Sequence, residues 1–143
     1  MDKEKKRILD EIVEYAIEAK PYLNTRDGNA SISIGKINYF DDDLLVINKI
    51  VRMLELGYID EKEYYRLMEL YYDYTALEEQ LDYIYFSRQY GEECEIDDQT
   101  EHEMHKLCIE KEEELEKYQL LSWYVEPSYL MDSSIKLVFS KEK

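Results

Sequence analysis

The sequence predicts a mainly α (α+β) protein: a helical bundle around a long central helix, about 61–90, with a small antiparallel sheet from residues 31–39 and 134–140. Three observations carry this prediction. The 143 residues include only two prolines and four glycines, so regular elements run far before anything breaks them. Apolar residues recur at spacings of three and four through most of the chain. Hydrophobic residues make up 45% and aromatics 13%, which argues for a folded core rather than a disordered acidic tail. The length fits a single domain, 1–143, large enough to bury one sizeable core.

Residues 3–20 form the cleanest amphipathic helix. Ile8, Leu9, Ile12, Val13, Ala16 and Ile17 fall on one stripe, with Asp10, Glu11, Glu14 and Glu18 mostly off it. Asp2 can cap its start, and Pro21 disfavours continuation past Lys20. The basic run Lys3, Lys5, Lys6 and Arg7 is interrupted by Glu4 and followed by acids, the pattern of a solvated helix face rather than a nucleic-acid arm. Tyr22 to Asn29 reads as loop, with Asp27-Gly28 as its turn. Ser31 to Ile34 alternates as a strand does, and Gly35 to Tyr39 either continues it through a bulge or turns back. Ser134 to Ser140 alternates Ile135, Leu137 and Phe139 with Lys136 and Val138, and Leu121 to Val125 is a weaker strand candidate within 120–126. A lone strand would leave its backbone groups unpaired, so these segments are expected to meet in one sheet.

Asp41-Asp42-Asp43 precedes a helix expected over 44–56, whose apolar stripe is Ile47, Ile50, Val51 and Leu54. The aspartates lack the alternating spacing and glycine turn of a calcium loop, so they read as a cap that compensates the helix dipole. Gly57 suits the end of that helix, and Asp60 with Glu63 forms a capping pair for the next. This Gly-x-Ile-Asp-Glu-x-Glu-Tyr stretch resembles a helical hairpin of small bacterial and phage proteins, which implies a turn and no particular activity. Nine of the fifteen tyrosines lie between Tyr58 and Tyr90. Leu67, Leu70, Tyr74, Leu77, Leu81 and Ile84 make a heptad-like seam on this helix. Opposite lies a second row, Tyr65, Tyr72, Tyr83 and Tyr90, which serves either as core with hydroxyls reaching water or as an interface. Gly91 to Asp98 is an acidic linker. Asp98 and Glu101 are expected to cap a helix over 99–119 with one apolar stripe of Met104, Leu107, Cys108, Leu115 and Tyr118.

The net charge of −16 opposes contact with nucleic acid or an anionic membrane. Residues 58–119 carry 6 basic and 20 acidic side chains, so −14 of that charge lies there. No apolar run approaches the ~20 residues that span a bilayer. A charged N-terminus without a secretion signal, together with two cysteines, predicts a reducing, cytoplasmic setting. Cys94, His102, His105 and Cys108 are the one metal-like set, but their spacing matches no familiar ligand pattern. On a helix His102 and Cys108 lie about 120° apart, so no metal or other cofactor is expected. Acids surround Cys94 and disfavour its thiolate, and phosphate loop, dinucleotide fingerprint and serine elbow are all missing. No catalytic residue is assigned.

The expectation is therefore a non-enzymatic protein that binds a basic surface on another protein. In its sharpest form it is an inhibitor that partly mimics nucleic acid and blocks a nuclease or similar target, as small anti-restriction and anti-CRISPR proteins do. The residues assigned to the partner are Tyr65, Tyr72, Tyr83, Tyr90, Glu92, Glu93, Glu95, Asp97, Asp98, Glu110, Glu112, Glu113, Glu114 and Glu116. A generic cytoplasmic or phage-encoded interaction protein, dimerising through the 67–84 seam, is the alternative. A small metal protein or enzyme ranks third.

Overall fold

A computed structural model describes residues 2–19, 32–34, 37–39, 41–91, 96–121, 135–136 and 139. Its elements are α1 (Lys3–Ala19), β1 (Ile32–Ile34), β2 (Ile37–Tyr39), α2 (Asp41–Glu55), α3 (Glu61–Gln89) and α4 (Asp98–Glu116). The helical bundle forms as the periodicity predicts.

The expected sheet does not. β1 pairs antiparallel with β2, with Ile32 opposite Tyr39, Ser33 opposite Asn38 and Ile34 opposite Ile37, so the 31–39 segment turns back on itself. Of the partner strand expected over 134–140, the described residues Ile135, Lys136 and Phe139 are helical, and the rest lie outside the described residues. Positions 135 and 139 are four apart as well as alternate, and the helical reading puts both on one face. Ile135 is buried, and Phe139 stacks on Tyr58 at 4.8 Å between ring centroids. The weaker strand candidate of 121–125 lies almost wholly outside the described residues.

Two helix starts also move. Asp41 to Asp43 belong to the first turn of α2 instead of preceding it, and the Asp43 carboxylate accepts a hydrogen bond from the Tyr71 hydroxyl. The cap of α4 is Asp97, one residue before the expected Asp98, and its Oδ1 accepts from the Thr100 N–H at 2.7 Å. At α3 the cap is the expected one: Asp60 Oδ1 accepts from the Glu63 N–H at 2.8 Å. Gly57 ends α2 with φ +80, where a side chain would be strained. Its N–H donates to Leu54 O and that of Tyr58 to Met53 O, each at 3.0 Å, satisfying two of the carbonyls that the helix end leaves open.

α3 touches each of the other three helices, yet α2 is the most enclosed element. Leu44, Leu45, Ile47, Asn48, Lys49, Ile50 and Met53 are all buried, on nearly every side of it. The polar members have partners. Asn48 Nδ2 donates to Ala16 O at 2.8 Å and Leu44 O at 2.9 Å, and Lys49 Nζ donates to Gln119 O at 2.9 Å. Gln119 holds φ +55 in the turn that closes α4, where the Leu120 N–H reaches Leu115 O at 3.4 Å. Leu9, Ile12 and Ala16 of α1, Leu67, Met68 and Tyr71 of α3, and Leu115 of α4 join α2 in one core. The α3 seam is filled from within the chain: Leu67, Tyr74 and Ile84 are buried, and Leu70, Leu77 and Leu81 half-buried.

Element lengths set the shape. α3 has 29 residues and α2 has 15, about 43 Å against about 22 Å. α2 runs antiparallel from the Gly57 turn and reaches its start opposite Tyr71, where Asp43 meets the tyrosine hydroxyl. α1 is also antiparallel, since Lys5 meets Asp73 and Asp10 meets Tyr65. Among the described helices, only α4 continues beside the distal half of α3. The Tyr118 hydroxyl joins Glu63 at 2.8 Å, that of Tyr74 joins Glu112 at 2.9 Å, and Arg88 joins Glu101 at 2.5 Å. Residues 77–91 and 96–111 therefore form a two-helix arm that extends past α1 and α2.

Candidate protein-binding surface

The tyrosine row of α3 divides where α1 stops. Its first half is partly covered. Lys6 Nζ sits 5.3 Å from the Tyr65 ring centroid and Lys5 Nζ 5.8 Å from that of Tyr72, both close enough for a cation–π attraction. The Tyr65 hydroxyl donates to Asp10 at 3.1 Å, while Lys5 pairs with Asp73 at 2.9 Å and lies 3.9 Å from Glu69. Burial works to lower the pKa of the Lys5 ammonium, but Asp73 and then Glu69 overcome it and raise it. Burial, then Asp10, raises that of the Tyr65 hydroxyl.

The second half is open. Tyr83 is 67% exposed, Phe86 53% and Tyr90 81%. Tyr83, Phe86 and Tyr90 stand at i, i+3 and i+7, so they make one stripe, in line with Tyr65 and Tyr72. The row is thus half-buried at one end and open at the other. Sequence reasoning missed Phe86, although its spacing from Tyr83 and Tyr90 is visible in the chain. Tyr85 lies around the helix from this stripe; its ring meets Phe86 edge-on at 5.5 Å and its hydroxyl accepts from Gln89 at 2.9 Å. Leu107 and Ile109 add exposed apolar side chains on α4 of the same arm.

The acidic residues assigned to a partner are not brought together as one face. Glu92, Glu93 and Glu95 lie outside the described residues. Asp97 is occupied as the α4 cap, and the Thr100 backbone bond holds its carboxyl below the usual range. Asp98 is exposed, 3.8 Å from Arg88. Glu112 accepts from Tyr74, and Glu116 accepts from the Leu121 N–H at 2.7 Å. Glu114 pairs with Lys117 at 2.9 Å and lies 3.4 Å from Arg66; the Lys117 hydrogen bond lowers its pKa most. Glu110 and Glu113 are exposed. Open and structural acids thus alternate in the last turns of α4: Glu112, Glu114 and Glu116 serve the fold, while Glu110 and Glu113 between and before them face water.

Little here suits covalent or metal chemistry. Cys108 is buried, and burial followed by Glu112, Glu78 and Asp82 pushes its thiol up to about 11, so it stays protonated at neutral pH. His102 and His105 are exposed, His105 lying 3.9 Å from Glu101, and Cys94 is outside the described residues. Among the described residues, no three His, Cys, Asp or Glu side chains are grouped to hold a metal ion. At the other end of the bundle Tyr58, Asp60, Glu63, Arg66, Tyr118 and Phe139 line an open cleft of 580 Å³. Its charges answer one another: Glu63 is held down by the Arg66 guanidinium, 2.5 Å away. No described helix is long and apolar enough to cross a membrane. No family model, curated protein or solved structure matches the chain.

Proposed function

We propose that this chain is an acidic, non-enzymatic protein-binding protein that occupies the basic nucleic-acid-binding surface of another protein and so inhibits it. The observation that supports this reading is the open Tyr83–Phe86–Tyr90 stripe on a strongly anionic arm. Its described residues, 77–91 and 96–111, carry 3 basic and 8 acidic side chains, −5 of the chain's −16. The α3 side of the arm, 77–91, is about 22 Å long. Duplex DNA would present roughly 13 charges over that distance, and one strand alone about 6 to 7. The arm therefore comes near a single strand in charge and falls far short of a duplex. Proteins that hold single strands combine a positive groove with surfaces that stack on flat rings, and exposed tyrosine and phenylalanine rings meet the second requirement. The sites that fit are single-strand grooves and narrow recognition clefts, in a nuclease or a related protein.

Displacement measures this directly. The full chain is titrated against complexes of labelled oligonucleotides with a panel of nucleases and single-strand-binding proteins. Single strands should be released from at least one member more readily than duplexes, with an effect that fades as salt rises. Reversing Glu79, Asp82, Glu110 and Glu113 to lysine should abolish release. If no member releases its oligonucleotide at low salt, or the reversed variant works equally well, the reading fails.

A further inference from the structure

We infer that the Tyr83–Phe86–Tyr90 stripe is the docking site for a lysine- or arginine-bearing amphipathic helix of the partner, laid along the track that α1 follows over the first half of α3. This rests on the proposed function and names the element of the basic surface that would be bound. The molecule itself shows how the row is covered. Over its first half a helix lies against the tyrosines, sets Lys5 and Lys6 over two rings and pairs Lys5 with Asp73. The same row continues beyond α1 with Tyr83, Phe86 and Tyr90 and with Glu79 and Asp82 beside them, and no described helix follows it there.

Charge selects among the occupants. A second copy would set this acidic arm against its like in a two-fold contact, on top of −16 for each chain. Nucleic acid is opposed by the same field. The described C-terminal residues sit at the opposite end of the bundle, where Phe139 packs on Tyr58 and Tyr118. A cationic helix has what the stripe offers on both counts, because its apolar edge covers the rings while its lysines or arginines meet the ring faces and acids.

The probe is a fluorescent synthetic amphipathic helix with leucines on one edge and lysines beside them. Its control carries glutamate at every lysine, and both are titrated into the full chain and followed by anisotropy. The basic peptide should bind about tenfold or more tighter than the acidic one, and Y83A/F86A/Y90A should weaken it by a similar factor. All three side chains are exposed, so the variant should keep the wild-type urea midpoint. Equal binding of the two peptides, or undiminished binding by a folded triple variant, overturns the inference. Sedimentation showing a wild-type dimer that the triple variant loses also overturns it, since the occupant is then a second copy. The two proposals fail separately. Oligonucleotide release that survives Y83A/F86A/Y90A sinks the docking site alone, whereas peptide binding without any release sinks the inhibitory function alone.

Discussion

Replacing Lys49 with methionine should stabilise this protein at neutral pH and lose that advantage as the pH rises. Lys49 is 1% exposed in α2, and burial takes its ammonium from 10.5 down to about 8, with Glu116 working the other way. Each pH unit between those values is worth 1.36 kcal/mol, so burial costs the charged form ~3 kcal/mol at pH 7. The hydrogen bond to Gln119 O returns ~1–2 kcal/mol. Methionine fills similar space without a charge. The net expectation is a gain of ~1–2 kcal/mol at pH 7. The folded pKa is the lower one, so between about 8 and 10.5 the unfolded chain keeps a proton that the folded chain has released. Wild-type stability rises across that window, and below it the cost of burying the charge is present in full. Above about 10 an opposite limb begins, because burial raises the Tyr64 and Tyr74 hydroxyls and only the unfolded chain ionises them there. That limb is common to wild type and variant and cancels in their difference. Urea unfolding of both proteins from about pH 6 to 9.5 measures it. A difference that stays constant over that range would mean that Lys49 titrates as a solvated lysine, and the reasoning would be refuted.

Other consequences can be checked with the same measurement. Gln119 holds φ +55 where side chains are strained, so Gln119→Gly should raise stability by ~1 kcal/mol, and a lower urea midpoint would count against the turn described at the end of α4. The two stripes of α3 should respond oppositely to truncation. Leu67→Ala, in the sealed core, should cost ~2–5 kcal/mol, whereas Tyr83→Ala should stay within ~0.5 kcal/mol. Equal losses would mean that the distal stripe is covered.

The helices were legible because their apolar periods run for many turns, and the Asp60–Glu63 pair marked the start of α3 to the residue. The sheet was not legible from Ile135 and Phe139, since a short run with apolar residues at i, i+2 and i+4 satisfies a strand and a helix together. The tyrosine row shows a different limit. Periodicity says which residues share a face, but whether Tyr72 or Tyr90 is covered depends on how far α1 reaches along α3, a tertiary fact. Lys49 gave no signal at all: a lysine next to an apolar stripe reads as a solvated edge, and only packing from several sides turns it into a core residue. On α4 the acids were visible, but their division into structural and open groups was not, because Tyr74, Arg66 and the Leu121 N–H approach from elsewhere in the chain.

From Glu61 to Gln89 there is neither glycine nor proline, so bundle and arm share one unbroken rod. A docking stripe at the end of such a rod comes pre-set in direction, and a partner need not freeze a hinge to use it. The rod also acts as a lever. A load on Tyr83 or Tyr90 is felt at the Lys5–Asp73 and Tyr71–Asp43 contacts, where α1 and α2 grip the rod midway, at the point where it leaves the bundle. Those contacts, together with α4 packed along the arm, fix the direction in which it points.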